Sequence, residues 1–337
     1  MQRVTRRRVL GLGAASLGAV AGCLDETPGT ASEDGPNSTG GDENGDGDGN
    51  GNGKADGEFP PCPDYGDSVD RVVCYDGVDT ETEPAVLEPS ARTVEEGGTI
   101  EFTLANDADE RLATNVYNWR VDKYVDGEWD RVAPRGYNAP LMYLESGEAH
   151  TWAVTPDNDG IADGGYVSST GGTDELTLEG VGPGTYAFRA RGWFEDRREA
   201  EQIAFATTFE LEAEELTLTP TDAIADTELD DEGDGGTDTL VATSTRGDPD
   251  DEYQRLCEFE LEVVNEPGDG TEPQRLLTEQ LLRHSQLWDA VALAAERDVS
   301  TVRIEEYNGT HPAFGHDSDG LYGFQEQYYR VWTAELE

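Results

Sequence analysis

Between Pro84 and Ala213 apolar residues recur at every second position, and that period is the tightest constraint on what this chain can fold into. Thr99–Leu104, Val116–Val125, Ala149–Val154, Thr185–Ala190 and Ala204–Leu211 alternate in this way, and each run is bounded by Gly, Pro, Asn or Asp. A helix returns a side chain to the same face every three or four residues, whereas a strand does so every two. Strands at this spacing, with no convincing helix between them, predict an antiparallel β-sandwich. Asp126-Gly127, flanked by Tyr124-Val125 and Trp129, predicts a two-residue hairpin turn.

After Glu214 the pattern changes. Thr239–Thr245 and Arg255–Val264 read as strands. Pro273 sits where a helix would begin, opening Gln274–Arg297, in which Leu276, Leu277, Leu281, Leu287, Val291 and Ala294 suggest one broken helix or two short ones. Val299–Tyr307 and Phe324–Ala334 return to alternation, with Tyr328–Trp332 as the last strand. The expected fold is therefore mainly β: a sandwich over residues 58–213, then a small α+β domain over 214–337. Asp222–Asp238 reads as an acidic connector or as a loop inside that second domain.

The N-terminus predicts export. Thr5-Arg6-Arg7-Arg8-Val9-Leu10 fits a twin-arginine signal, with Arg6 and Arg7 as the pair, ahead of about twelve apolar residues ending at Ala21. That run is too short for a bilayer core of about 30 Å. Val20-Ala21-Gly22-Cys23 places small residues before a cysteine, so residues 1–22 read as a signal peptide and Cys23 as the lipidated residue. The rival reading is an ordinary secretion signal with an incidental cysteine. Residues 23–57 are mostly Gly, Asp, Asn, Glu, Ser and Thr with no aromatic residue, and read as a disordered stalk. Asp42–Gly47 and Asp230–Gly235 imitate calcium loops, but the twelfth position is Gly53 in one and Val241 in the other, so they read as linker and surface loop.

Charge narrows the partners. A formal net charge of -50, from 73 acidic against 23 basic residues, falls to near -54 once the four arginines of residues 1–22 are removed. Nucleic acid and anionic lipid headgroups are poor partners for such a surface. At about 1 M salt the Debye length is about 3 Å and self-repulsion largely vanishes, so molar salt is the expected medium. Low hydrophobicity with high charge is also the signature of disorder, but 6 Trp, 13 Tyr and 9 Phe, concentrated after residue 58, argue for a folded remainder.

Of the four cysteines, Cys62 and Cys74 are close enough in sequence to close a small loop. Outside the cytosol a disulfide is the default; a structural metal site would need two further ligands. Cys257 alternates into an apolar face and reads as a buried thiol.

Cys62-Pro63-Asp64-Tyr65 through Cys74, Val86–Ser90, Asn118-Trp119-Arg120, Val125–Pro134, Gly147–Trp152 and Gly184–Phe188 together resemble a family of haloarchaeal secreted lipoproteins. More distantly they resemble bacterial immunoglobulin-like modules, whose middle hairpin reads dGxWxxv and whose late strand reads GxYxF. The resemblance covers about Pro60 to Ala213. It implies an Ig-like sandwich and an extracellular, lipid-anchored location, and says almost nothing of activity. With no inter-sheet cysteine pair, the core is expected to rest on Trp119, Trp129, Trp152, Phe188 and Tyr186, the last able to form a tyrosine corner.

Functional residues are sparse. Pro134–Tyr143 is turn-rich and aperiodic, and its Arg135, Tyr137 and Tyr143 form the best candidate contact surface, against simple loop packing. Arg191–Arg198 gathers three arginines expected to neutralise nearby carboxylates. No nucleophile elbow, zinc helix, phosphate loop or dinucleotide fingerprint occurs, and no cofactor is expected. His316, Asp317 and Asp319 are a weak candidate for a shared divalent cation. Asn37 and Asn308 satisfy the glycosylation sequon.

The expected function is non-enzymatic binding or scaffolding at the cell envelope of a halophile. The expected partners are the membrane, reached through the anchor, and another envelope protein or a glycan. An envelope hydrolase would instead show a junction cleft with two isolated, pKa-shifted carboxylates. A proteinase inhibitor would show a rigid protruding loop at Arg135–Tyr143.

Overall fold

The alternating runs become strands in the computed structural model, which describes residues 59–134, 136–161, 172–195, 201–230, 239–268, 272–315 and 319–336. In the first half β1 (Arg71–Cys74), β3 (Thr93–Glu95), β5 (Leu112–Thr114), β6 (Arg120–Val125), β7 (Glu128–Ala133), β8 (Met142–Leu144), β11 (Gly184–Phe194) and β12 (Ile203–Glu212) join in one sheet. A second sheet holds β2 (Ala85–Pro89), β4 (Ile100–Asn106), β9 (Ala149–Pro156) and β10 (Glu175–Leu178). The long pairings are antiparallel, as the alternation predicts. Three short edge pairings, β1 and β3 on β12 and β10 on β9, are parallel, so the sandwich is mixed at its margins.

The two sheets meet in an aromatic core. Phe102 of β4 stacks on Phe188 of β11 with ring centroids 4.3 Å apart, and Trp152 packs against Phe188 at 5.6 Å. Trp152 donates its indole N–H to the Val116 carbonyl at 2.9 Å, so the ring is buried without an orphaned donor. Trp119, Phe188 and Tyr186 also lie in this core. Trp129 does not: it is half-buried on the outer face of β7, tilted against Tyr124, and donates to the Pro61 carbonyl at 3.0 Å. Only Arg120–Val125 of the run that starts at Val116 is strand, because residues 116–119 turn while Val116 and Trp119 still point inward.

The second half builds one sheet on one long helix. β13 (Ile224–Asp230), β14 (Thr239–Ser244), β15 (Arg255–Val264), β16 (Gln274–Arg275), β17 (Thr301–Asn308), β18 (Gly320–Phe324) and β19 (Gln327–Glu335) form the sheet, and α2 (Ser285–Arg297) follows the single turn α1 (Thr278–Leu281). Leu287, Ala290, Val291 and Ala294 of α2 share a core with Phe259, Leu261, Val302 and Ile304 of the sheet. Sequence reading needs three corrections here. Pro273 precedes a short strand, because Gln274 and Arg275 pair with Tyr322 and Gly323, and helix begins only after Leu277. Residues 324–334 are not one strand but the end of β18, a turn at Gln325-Glu326, and β19. Ile224–Asp230 is neither connector nor loop but the edge strand beside β14.

The chain from Ala55 to Glu337 is one compact unit. Leu277 of the second half sits in the sandwich core, so the two cores touch. Among the described residues no helix is long and apolar enough to cross a membrane.

Candidate functional site

The outer face of β6, β11 and β12 is covered by the segment that Cys62 and Cys74 close. These two cysteines form a disulfide, with Cα atoms 5.8 Å apart. β1 runs beside β12, and Tyr65 packs on Ala204 and Ala206. Arg120 and Arg189 are direct cross-strand partners, and both guanidinium groups lie over the Tyr65 ring, at 5.4 and 5.1 Å from its centroid. Asp122, on the same face of β6, is fully buried and pairs with Arg120. Burial raises the Asp122 carboxyl, against the pull of Arg120, Arg189 and Arg131. Burial also pushes the Tyr65 phenol up and the Arg189 guanidinium down to about 10. Among the described residues the Tyr65 hydroxyl, Asp122 Oδ2 and Arg189 Nε are buried with no hydrogen-bond partner.

A second buried carboxylate joins the two halves. Glu279 of α1 is 2% exposed, and its Oε1 accepts from Lys123 Nζ at 2.5 Å, Gly182 N at 3.2 Å and the Tyr186 hydroxyl at 3.1 Å. Tyr186 shares its one hydroxyl proton between that oxygen and the Gly182 carbonyl four residues upstream, the nearer acceptor at 2.6 Å and the tie expected of a tyrosine corner. Burial raises the Tyr186 phenol well above its ordinary value, and Glu279 pushes it the same way. Arg283 donates to the carbonyls of Gly180, Glu179 and Glu279.

Beside this junction lie two clefts. One, of about 230 Å³, is lined by Arg131, Val132, Pro134, Gln274, Leu276, Gln280, Arg283 and His284. Among the described residues its lining has three basic side chains and no carboxylate, in a protein with 73 acidic residues. The other, of about 470 Å³, lies between the tips of two hairpins, Asp126-Gly127 and Gln325-Glu326. Arg275 bridges its walls, pairing with Asp126 at 3.0 Å and Glu128 at 3.6 Å.

The proposed contact loop begins at Pro134, on the wall of the smaller cleft. Tyr137, Leu141, Met142 and Tyr143 are 45, 53, 38 and 40% exposed, and among the described residues only Leu229 and Tyr253 are other large apolar side chains so open to solvent. Tyr143 lies under the Arg111 guanidinium at 4.6 Å, and Arg111 is itself held by Glu195. Asn115 donates to the Asn138 carbonyl at 2.8 Å. β8 pairs with β5 at the edge of the sheet, so the end of the loop lies flat on the sandwich, which counts against a protruding inhibitor loop.

Other sequence candidates fare differently. Arg6, Arg7, Cys23, Asn37, Arg135, His316 and Asp317 lie outside the described residues, while Asp319 accepts from the Thr333 hydroxyl at 2.9 Å. Asn308, at the end of β17, accepts from Thr310 N and from the Thr310 hydroxyl. Cys257 is a free, buried thiol, pushed up by burial. Among the described residues Arg191 donates to the Ser68 carbonyl and to Gln202; Arg197 and Arg198 lie outside the described residues. Sequence reading missed the Glu279 junction and the basic cleft. The only trace of either was Lys123, one of two lysines in the chain.

No family model and no curated protein matches this chain. Among solved structures, a β-glucosidase from Listeria innocua in complex with gluconolactone aligns at 15% identity, with a TM-score of 0.19. The alignment takes in 39% of this chain and 17% of that one, so this chain spans less than a fifth of that enzyme's length, and the likeness carries no argument about either.

Proposed function

We propose that this chain is a lipid-anchored surface protein of a halophile, exported by its twin-arginine leader, held at Cys23, and engaged in non-enzymatic binding to another envelope component. The observation that carries the binding role is the clustering of Tyr137, Leu141, Met142 and Tyr143 on an otherwise acidic exterior. In molar salt exposed ion pairs are screened within about 3 Å, while apolar contacts persist. An apolar loop is then the kind of contact that brine leaves intact. The Cys62–Cys74 disulfide supports residence outside the reducing cytosol.

The test uses the full chain in its own type of host. Wild type should sediment with membranes and carry acyl chains on Cys23 by mass spectrometry, and Cys23→Ser should appear in the medium. A Cys23→Ser product that still sediments, or an uncleaved leader on a cytosolic form, would overturn the anchoring. The combined Tyr137→Ser, Leu141→Ser and Tyr143→Ser variant should stay anchored and folded yet lose its crosslinked neighbour at the cell surface. Unchanged crosslinking would remove the loop from the proposal.

A further inference from the structure

We propose that Asn308 is an N-glycan acceptor, presented to the sugar donor by the folded chain. This goes beyond the binding role proposed above and rests on its export reading, because the acceptor has to meet the donor outside the cytosol.

Asn308-Gly309-Thr310 satisfies the glycosylation sequon, a triplet that also arises by chance in loops. The structure adds where the triplet stands. Asn308 is the last residue of β17, and the chain leaves the sheet there. Gly309, Thr310 and His311 are exposed, with 89% of the His311 side chain open to solvent, so the triplet projects from the end of the sheet toward an approaching enzyme.

The setting of the side chains is the second observation. Three donors converge on Asn308 Oδ1: Thr310 N at 2.9 Å, Phe314 N at 3.4 Å and the Thr310 hydroxyl. Two of them are backbone N–H groups, which can only donate, so the atom they meet is the carbonyl oxygen and not the amide nitrogen. The amide is thereby held in one orientation, its oxygen on the turn that follows β17 and its nitrogen left over. Among the described residues Asn308 Nδ2 makes no hydrogen bond, and it is not buried. A surface asparagine without such ties exchanges rotamers. This one is fixed by the third residue of its own sequon.

The chemistry that consumes this nitrogen is glycosyl transfer from a sugar activated at C1 as a lipid-linked phosphate ester, catalysed by an envelope transferase. The C1–O bond to the phosphate breaks, Nδ2 forms the new bond to C1 and gives up one proton, and the lipid phosphate leaves with the electron pair. Nothing is oxidised or reduced. The hydroxyl at the third position is the side-chain group that touches Oδ1; serine can supply it, whereas valine, with the same shape, cannot.

The experiment expresses the full chain in its own type of host, recovers it from the membrane fraction and digests it with trypsin. The peptide Ile304–Arg330 has no internal Lys or Arg and carries Asn308 as its one sequon, so Asn37 is scored on a separate peptide. Wild type should yield Ile304–Arg330 with the added mass of an oligosaccharide, placed on Asn308 by fragmentation. Asn308→Gln should lose that mass. Thr310→Ser should keep it and Thr310→Val should lose it, both with the unfolding transition of wild type in molar salt, since Thr310 is exposed. A bare peptide from wild type, a glycan that persists in Asn308→Gln, or undiminished occupancy in Thr310→Val would each overturn the proposal. Anchoring is scored by the Cys23→Ser fractionation, so a bare Asn308 on an anchored chain removes the glycan and leaves the proposed function standing.

Discussion

Asp122 and Glu279 are both buried carboxylates held against the same sheet, yet they solve the problem of burial differently. Glu279 reaches in from the second half and places one oxygen among a lysine, a backbone amide and a phenol. Asp122 has one oxygen on Arg120 and the other without a partner among the described residues. Lys123 and Asp122 are neighbours on β6 pointing to opposite faces, so the strand carries both arrangements one residue apart. The face where hydrogen bonding closes is held by packing of the two halves. The face where it does not close is covered by a segment that a covalent bond restrains.

That contrast is broken most directly at Glu279. Glu279→Ala strands Lys123 and the Gly182 amide at the junction, and should cost about 3–5 kcal/mol in urea unfolding at molar salt. Glu279→Gln keeps the acceptor oxygen for Gly182 N and should cost distinctly less. Equal and small losses for both variants would mean that the network does not hold the halves together.

The covalent side is tested next. Cys62→Ser with Cys74→Ser should lower stability by about 3 kcal/mol, the value for a loop of this size. It should also let the Tyr65 phenol ionise closer to its ordinary range, read by ultraviolet titration. In wild type, burial holds that phenol well above it. A phenol that titrates identically with and without the disulfide would show that the cover is held by β1 alone.

The pH dependence of stability tests the unclosed face at Asp122. Burial raises Asp122 in the folded state, so its proton is bound more tightly folded than unfolded. The stability it contributes is present at low pH and is lost as pH rises through its folded pKa. Wild type should therefore lose ground to Asp122→Asn as pH rises from the acidic range to neutrality. The opposite slope would show that Arg120, Arg131 and Arg189 outweigh burial.

How much of this was legible in the sequence depended on the range of the cause. Alternation is local, and it placed β4, β9, β11, β12 and β15, while the tyrosine corner of Tyr186 followed from the resemblance to Ig-like modules. Local pattern misread Trp129, because its position in a strand looks the same whether the face it covers is core or a later-docked segment. Pro273 fits both a helix start and an edge strand, and only the partner Tyr322-Gly323 chooses between them. The basic cleft combines Arg131 with Arg283 and His284, some 150 positions away, and no spacing rule links them. The exposure of Tyr137 and Tyr143 was readable because absence of period and an excess of tyrosine are themselves local signals.

The smallest effect concerns the two hairpins that border the 470 Å³ cleft. Asp126-Gly127 and Gln325-Glu326 both hold positive φ at both central residues, 55 and 92° in the first and 48 and 65° in the second. The first pays little for this, since glycine adopts that region freely; the second forces glutamine and glutamate into it. Gly127→Ala should destabilise by about 1 kcal/mol, because open space around the site cannot relieve a strained backbone. Glu326→Gly should stabilise by about 0.5 kcal/mol for the converse reason. If Glu326→Gly instead destabilises, then side-chain contacts of Glu326 at the cleft outweigh its backbone, and the second hairpin is held in its unfavourable turn by the cleft it lines.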